Sequence, residues 1–329
     1  MASTINLKVD IINSATKGRC LLLVEGKDDP KFYKRMANDN NRYKFDVRKV
    51  EQYGQGAGCN KIIDMVFEDV DFLDKNGRRF LAIIDGDAKE YRGISEKLSY
   101  IKDKSYVYLL DYYSFESYCF DKKSLCKILS KITSATEEEV ENNILDVSYE
   151  YILDKIQTEL YYIGLDCLYT NNKEVSIFKY SDDGVINIKG KREHNFKGID
   201  KDKLDCLALE YGITNELYKI RKLVKGKHFL MFCACNINLI LSEINKNRLC
   251  KSDSKSLISK KLGDAFSEIA CDSESLCTKK ECVFDIDING VSAGNEKFTY
   301  IIYNDLKNNL DSEELDIIKT KIDNFIENQ

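Results

Sequence analysis

Short apolar runs that stop at an acid punctuate the first third of the chain. Cys20-Leu-Leu-Leu-Val precedes Glu25, Phe80-Leu-Ala-Ile-Ile precedes Asp85, and Tyr106-Val-Tyr-Leu-Leu precedes Asp111. Continuous apolar runs of this length predict strands buried on both faces, at 20–25, 79–84 and 105–110. Residues 44–51 (KFDVRKVE) alternate and predict a further strand. Helical spacing intervenes over 28–38, where Asp28 or Asp29 serves as the cap and Pro30 suits the first turn, and again over 60–74. YGQGAGCN, residues 53–60, predicts a glycine-rich turn. Strands alternating with helices predict an α/β class with a mostly parallel sheet flanked by helices.

Past residue 120 the pattern changes. Residues 122–163 read as mainly helical, and 174–189 (EVSIFKYSDDGVINIK) as a β-hairpin turning at Asp183-Gly184. Further helices are predicted at about 203–212, 214–225, 228–247, 254–270 and 305–327, with 271–295 rich in loops. The predicted division is therefore an α/β domain at 1–120 and a mainly α-helical C-terminal region at 121–329 with a small β insertion at 174–189. A length of 329 residues suits two domains.

Composition narrows the function classes. With 50 basic against 55 acidic side chains, the net charge is -5. That excludes a protein that coats DNA by bulk charge, but leaves room for a local basic groove. No run of eighteen apolar residues and no apolar leader is present, so a cytoplasmic protein without membrane partners is expected. Of the 12 cysteines, Cys119, Cys167, Cys233 and Cys235 sit in apolar runs and read as small buried hydrophobes. Cys250, Cys271, Cys277 and Cys282 lack the usual zinc-ligand spacing.

The acids at the strand ends carry the chemistry. In a parallel sheet the carboxyl ends of the strands share one edge, and ligands bind in the crevice there. Glu25, Asp85, Asp87 and Asp111 are thus predicted to converge. Converging carboxylates repel, and a hard divalent ion such as Mg2+ or Mn2+ relieves them. The matching chemistry is phosphodiester hydrolysis. Asp111 alone is equally readable as a turn or cap residue, and Lys27 either steadies a phosphate or is a solvated lysine. The glycines at 54, 56 and 58 lack a following G-K-[ST], so they read as a connecting turn rather than a P-loop.

Val24-Glu25-Gly26-Lys27-Asp28-Asp29 with Phe32-Tyr33 resembles the first motif of the TOPRIM domain, and Ile83-Ile84-Asp85-Gly86-Asp87 its DxD motif. Tyr113-Ser114-Phe115-Glu116-Ser117-Tyr118 resembles a further element of TOPRIM-like nucleases of the OLD and PARIS anti-phage type. The resemblance covers about 20–118 and is loose over 203–245. It implies a TOPRIM-like fold with Glu25 as metal ligand or general base, Asp85 and Asp87 as the metal-binding pair, and Glu116 as a late acidic ligand. It also implies an Mg2+-dependent endonuclease effector, restrained by an ABC-type ATPase sensor subunit and dimeric when active. The implied substrate is RNA, tRNA above all, with DNA as the alternative. The competing reading is a non-catalytic module that binds nucleic acid or the ATPase.

Residues 186–228 hold 11 basic against 6 acidic side chains, with Phe196, Tyr211 and Tyr218 interleaved. Lys189, Lys191, Arg192, Arg221, Lys222, Lys225 and Lys227 are the candidate nucleic-acid contacts; a solvated helix face is the alternative. His194 and His228, the chain's two histidines, read as structural.

Overall fold

The structure is a computed structural model. It describes residues 6–26, 29–36, 44–54, 56–133, 135–173, 200–247, 287–288, 291–292, 294 and 296–328. The predicted hairpin at 174–189, the helix at 254–270 and most of the loop-rich segment lie outside the described residues. The chain divides into two compact units, one of residues 1–115 with 314–329 and one of residues 116–313.

The first unit is α/β, built on four parallel strands in the order β2-β1-β3-β4. These are β1 (Cys20–Val24), β2 (Phe45–Lys49), β3 (Phe80–Ile84) and β4 (Val107–Leu109). The central strands β1 and β3 are buried at every position, as their unbroken apolar runs demand. The edge strand β2 alternates, and its polar positions are tied down: Asp46 accepts from Arg19, and Arg48 donates to Asp10.

Helices α1 (Leu7–Thr16), α2 (Asp29–Met36), α3 (Cys59–Glu68), α4 (Val70–Asn76), α5 (Lys89–Arg92) and α6 (Glu96–Ile101) surround the sheet. From β1 the chain steps to β2 on one side, then crosses back to β3 on the other. Right-handed crossovers in opposite directions place their helices on opposite faces. Accordingly, α1, α3, α4 and α6 share one core with Leu21, Leu23, Phe80, Ala82 and Ile84, and no residue of α2 belongs to it. Differences from expectation are α1, α5 and α6, which were not anticipated, and a break at Asp69 that divides the predicted 60–74 helix.

The second unit is mainly helical. It contains α7 (Lys122–Ile132), α8 (Glu137–Val140), α9 (Asp146–Lys155), α10 (Tyr161–Lys173), α11 (Lys201–Tyr211), α12 (Leu217–Leu223), α13 (Gly226–Asn247) and α14 (Glu296–Asn308). Single π turns at Glu141–Leu145 and Ile156–Leu160 join α8, α9 and α10 into one helical run. A two-residue antiparallel pair, β5 (Asp287–Ile288) with β6 (Val291–Ser292), lies within the predicted loop-rich segment. The last helix, α15 (Glu313–Glu327), falls almost wholly in the first unit, where Lys321 lies over the Tyr108 ring. The predicted helix at 305–327 is therefore two helices, interrupted at residues 309–312. Among the described residues, no helix is long and apolar enough to cross a membrane.

Candidate metal centre

The strand order reverses between β1 and β3, and the crevice at such a reversal is where open α/β sheets bind ligands. Glu25 directly follows β1. It continues the alternation of Leu21 and Leu23, so it lies on the side of the sheet that carries α3. The turn after it is built by Gly26 and Asp29. The Gly26 N–H donates to Asp29 Oδ2 at 2.7 Å, and a Cβ on Gly26 would stand 2.8 Å from Asp29 Oδ1. The second aspartate of the motif thus shapes the loop that presents Glu25. Lys27, predicted to act in catalysis, lies outside the described residues.

Asp85-Gly86-Asp87 leaves β3 through a crowded turn. A Cβ on Gly86 would fall 2.2 Å from the Tyr112 carbonyl oxygen and 2.9 Å from that of Leu110, so only glycine fits between the ends of β3 and β4. The Asp87 N–H donates to the Tyr113 carbonyl at 3.0 Å. Asp87 and Ala88 both adopt left-handed backbone angles, φ 46° and 55°. Two consecutive non-glycine residues in this region cost on the order of 1–3 kcal/mol each.

That turn brings Asp87 to Glu25 and to a residue sequence reasoning did not nominate. One donor atom each from Glu25, Cys59 and Asp87 lie within 4.8 Å of one another. Cys59 opens α3, straight after Gly54, Gly56 and Gly58, which have φ of 116°, 104° and 87°. The predicted glycine-rich turn is real, and its consequence is to deliver the Cys59 thiol, which donates to Asp87 Oδ2 at 2.8 Å. Burial first, then the Asp87 charge, push this thiol up to about 12. Lys89 Nζ lies 3.3 Å from the same oxygen and also donates to the Asp85 carbonyl. Arg92 donates to the Asp87 carbonyl at 3.4 Å and the Tyr113 hydroxyl at 3.3 Å. A legible hint existed for Lys89, two places past Asp87. Cys59 gave only its position at the end of the glycine run.

Asp85, Asp111 and Glu116 are not among the three donors of that group. Asp85 is half-buried and is not a member of the group, although its charge is felt by Tyr113. Asp111 is exposed and raises the Tyr108 hydroxyl, which burial chiefly pushes up to about 12. Glu116 belongs to the second unit. There it is 2% exposed and pairs with Lys307 at 3.9 Å.

The basic strip needs one correction. Arg221 is 1% exposed, donates to the Phe120 carbonyl and lies over the Phe229 ring, so it is a buried structural cation rather than a surface contact. Lys222 and Lys225 are half-buried and Lys227 is exposed, with Lys219 and Lys222 near the Tyr218 ring. Lys189, Lys191, Arg192 and His194 lie outside the described residues, as do Cys250, Cys271, Cys277 and Cys282. His228 is buried. A groove of about 830 Å³ in the second unit is lined by Lys122–Asp146 and Lys127–Glu137 ion pairs and contains none of the predicted site residues.

Glu25, Cys59 and Asp87 offer one donor atom each, a set that could hold a metal ion. Two carboxylates within 4.8 Å of one another repel by roughly 3 to 4 kcal/mol at an effective dielectric near 20. Compared with protein-family models, with curated proteins and with solved structures, the chain matches none of them.

Proposed function

We propose that the first unit is a TOPRIM-like, Mg2+- or Mn2+-dependent nuclease centre in which Glu25 and Asp87 hold the ion. The observation that carries this reading is the meeting of Glu25 and Asp87 at the strand-order reversal between β1 and β3. The ion would supply charge stabilisation for a phosphodiester undergoing hydrolysis. Glu25, at the mouth of the crevice, is placed to orient or deprotonate water. Asp85, one residue beyond β3, remains a candidate outer ligand. Lys89 holds Asp87 in place, and Arg92 offers a cation beside the same turn.

By resemblance, the chain acts as the toxin subunit of a bacterial anti-phage system, cleaving RNA, with tRNA preferred and DNA second. An ABC-type ATPase would restrain it, and the active form would be a homodimer. Lys222, Lys225 and Lys227 are the described candidates for contacting the nucleic-acid backbone.

A second reading is a non-catalytic module. It is favoured by one observation: Cys59 and Lys89 already satisfy Asp87 without a metal. A cleavage assay on total RNA and plasmid DNA, with and without Mg2+, separates the two. The nuclease reading expects Mg2+-dependent cleavage that Glu25→Ala reduces by at least about a thousandfold, a loss on the order of 4 kcal/mol in transition-state stabilisation. Equal cleavage by wild type and Glu25→Ala would remove Glu25 from the chemistry.

A further inference from the structure

The third donor of the site is sulfur. Cys59 Sγ stands 2.8 Å from Asp87 Oδ2, and both lie within 4.8 Å of a Glu25 carboxylate oxygen. Mg2+ is bound by oxygen and has little use for a thiol, so it would leave Cys59 as a hydrogen-bond donor that fixes the Asp87 rotamer. Zn2+ and Co2+ accept thiolate and carboxylate together, at low coordination number. Cys59 sits in the first turn of α3, directly after Gly58, where an added Cβ would stand 3.6 Å from Glu25 Oε1.

We propose that Glu25, Cys59 and Asp87 form a site for a thiophilic divalent ion of the Zn2+ class, bound through the Cys59 sulfur, and that this ion excludes Mg2+ from the same carboxylates. This rests on the metal-centre reading above. On binding, the Cys59 S–H bond breaks, an Sγ–metal bond forms, and the proton leaves to solvent; no electrons are transferred. Lys89 must give up its 3.3 Å contact with Asp87 Oδ2 or share that oxygen with the ion. A sulfur-bound ion keeps fewer waters than Mg2+, so the site is then blocked to a phosphate that needs an open position.

Co2+ is the probe, because a thiolate ligand adds a sulfur-to-cobalt charge-transfer band in the near ultraviolet whether or not the protein cleaves anything. Titration of the full chain should produce that band. Cys59→Ser should abolish it and weaken Co2+ binding by about tenfold or more. Glu25→Gln, which leaves the thiol intact, should weaken the same band, and it carries the test alone if Cys59→Ser fails to fold by circular dichroism. Zn2+ should bleach the band at one equivalent and Mg2+ only in large excess. Co2+ uptake that is sensitive to Glu25→Gln but shows no charge-transfer band, or a band unchanged in Cys59→Ser, would overturn the sulfur ligand and leave the metal centre standing. Co2+ uptake indifferent to Glu25→Gln would overturn both.

Discussion

The Cys59 thiol donates to Asp87 Oδ2, and burial and the Asp87 charge push it up to about 12, so the protonated thiol dominates at pH 8. Iodoacetamide at pH 8 should therefore modify exposed Cys206 long before Cys59, as peptide mass mapping would register. Asp87→Asn removes a charge that holds the proton on, so Cys59 should then react faster; an unchanged rate would contradict the pairing. A second residue-scale prediction concerns Tyr53, whose hydroxyl donates to Asp10 Oδ2 at 2.7 Å. Burial and that bond push it well above the ordinary tyrosine range. The folded state then holds a proton that the unfolded chain releases near pH 10, so stability is full below about pH 10 and falls as pH rises beyond it. Urea midpoints from pH 8 to 11 should fall more steeply in wild type than in Tyr53→Phe. At this scale Glu25 was readable because it directly follows an apolar strand, and Asp87 because it closes the Asp85-Gly86-Asp87 turn that leaves one. Cys59 was not, because only the left-handed pair Asp87-Ala88 and three positive-φ glycines bring it to Asp87, and these backbone states leave no mark in hydropathy.

Elements show where local pattern was overridden. All four strands were legible, β1 and β3 almost to the residue, since burial on both faces writes an unbroken apolar run. The helix breaks were not. The predicted 305–327 helix stops because Ser312 donates to the Tyr118 carbonyl and to Asp121 Oδ2, while the Glu313 N–H donates to Asp121 Oδ2 at 2.7 Å. Those partners lie about 190 residues away in sequence, beyond any local signal. Asp121 also caps α7, accepting from the Ser124 N–H at 2.7 Å. Losing a cap costs about 1 kcal/mol and losing charge-assisted bonds about 1.5 more, so Asp121→Ala should destabilise the protein by roughly 2 to 4 kcal/mol in denaturant titration. Gly86→Ala tests the other junction. Its methyl would meet the Tyr112 carbonyl at 2.2 Å, backbone that cannot step aside, and a loss of about 3 kcal/mol is expected. A normal unfolding midpoint for Gly86→Ala would contradict the close approach of β3 and β4.

At the scale of the whole molecule, the chain forms two compact units, and the C-terminal helix belongs to the one that holds residues 1–115. A helix that closes a unit from the far end of the chain has the same amphipathic pattern as one that packs locally, so its allegiance was not legible. Within the first unit Glu25 and Asp87 meet; within the second, Glu116 is buried and pairs with Lys307. The account accordingly rests on two carboxylates and the strand-order reversal between them. Mn2+ binding, followed by the loss of free-ion electron paramagnetic resonance signal, addresses that pair directly. One site per chain is predicted, weakened at least about tenfold by either Glu25→Gln or Asp87→Asn and displaced by Mg2+. Mn2+ binding that neither substitution alters would contradict it.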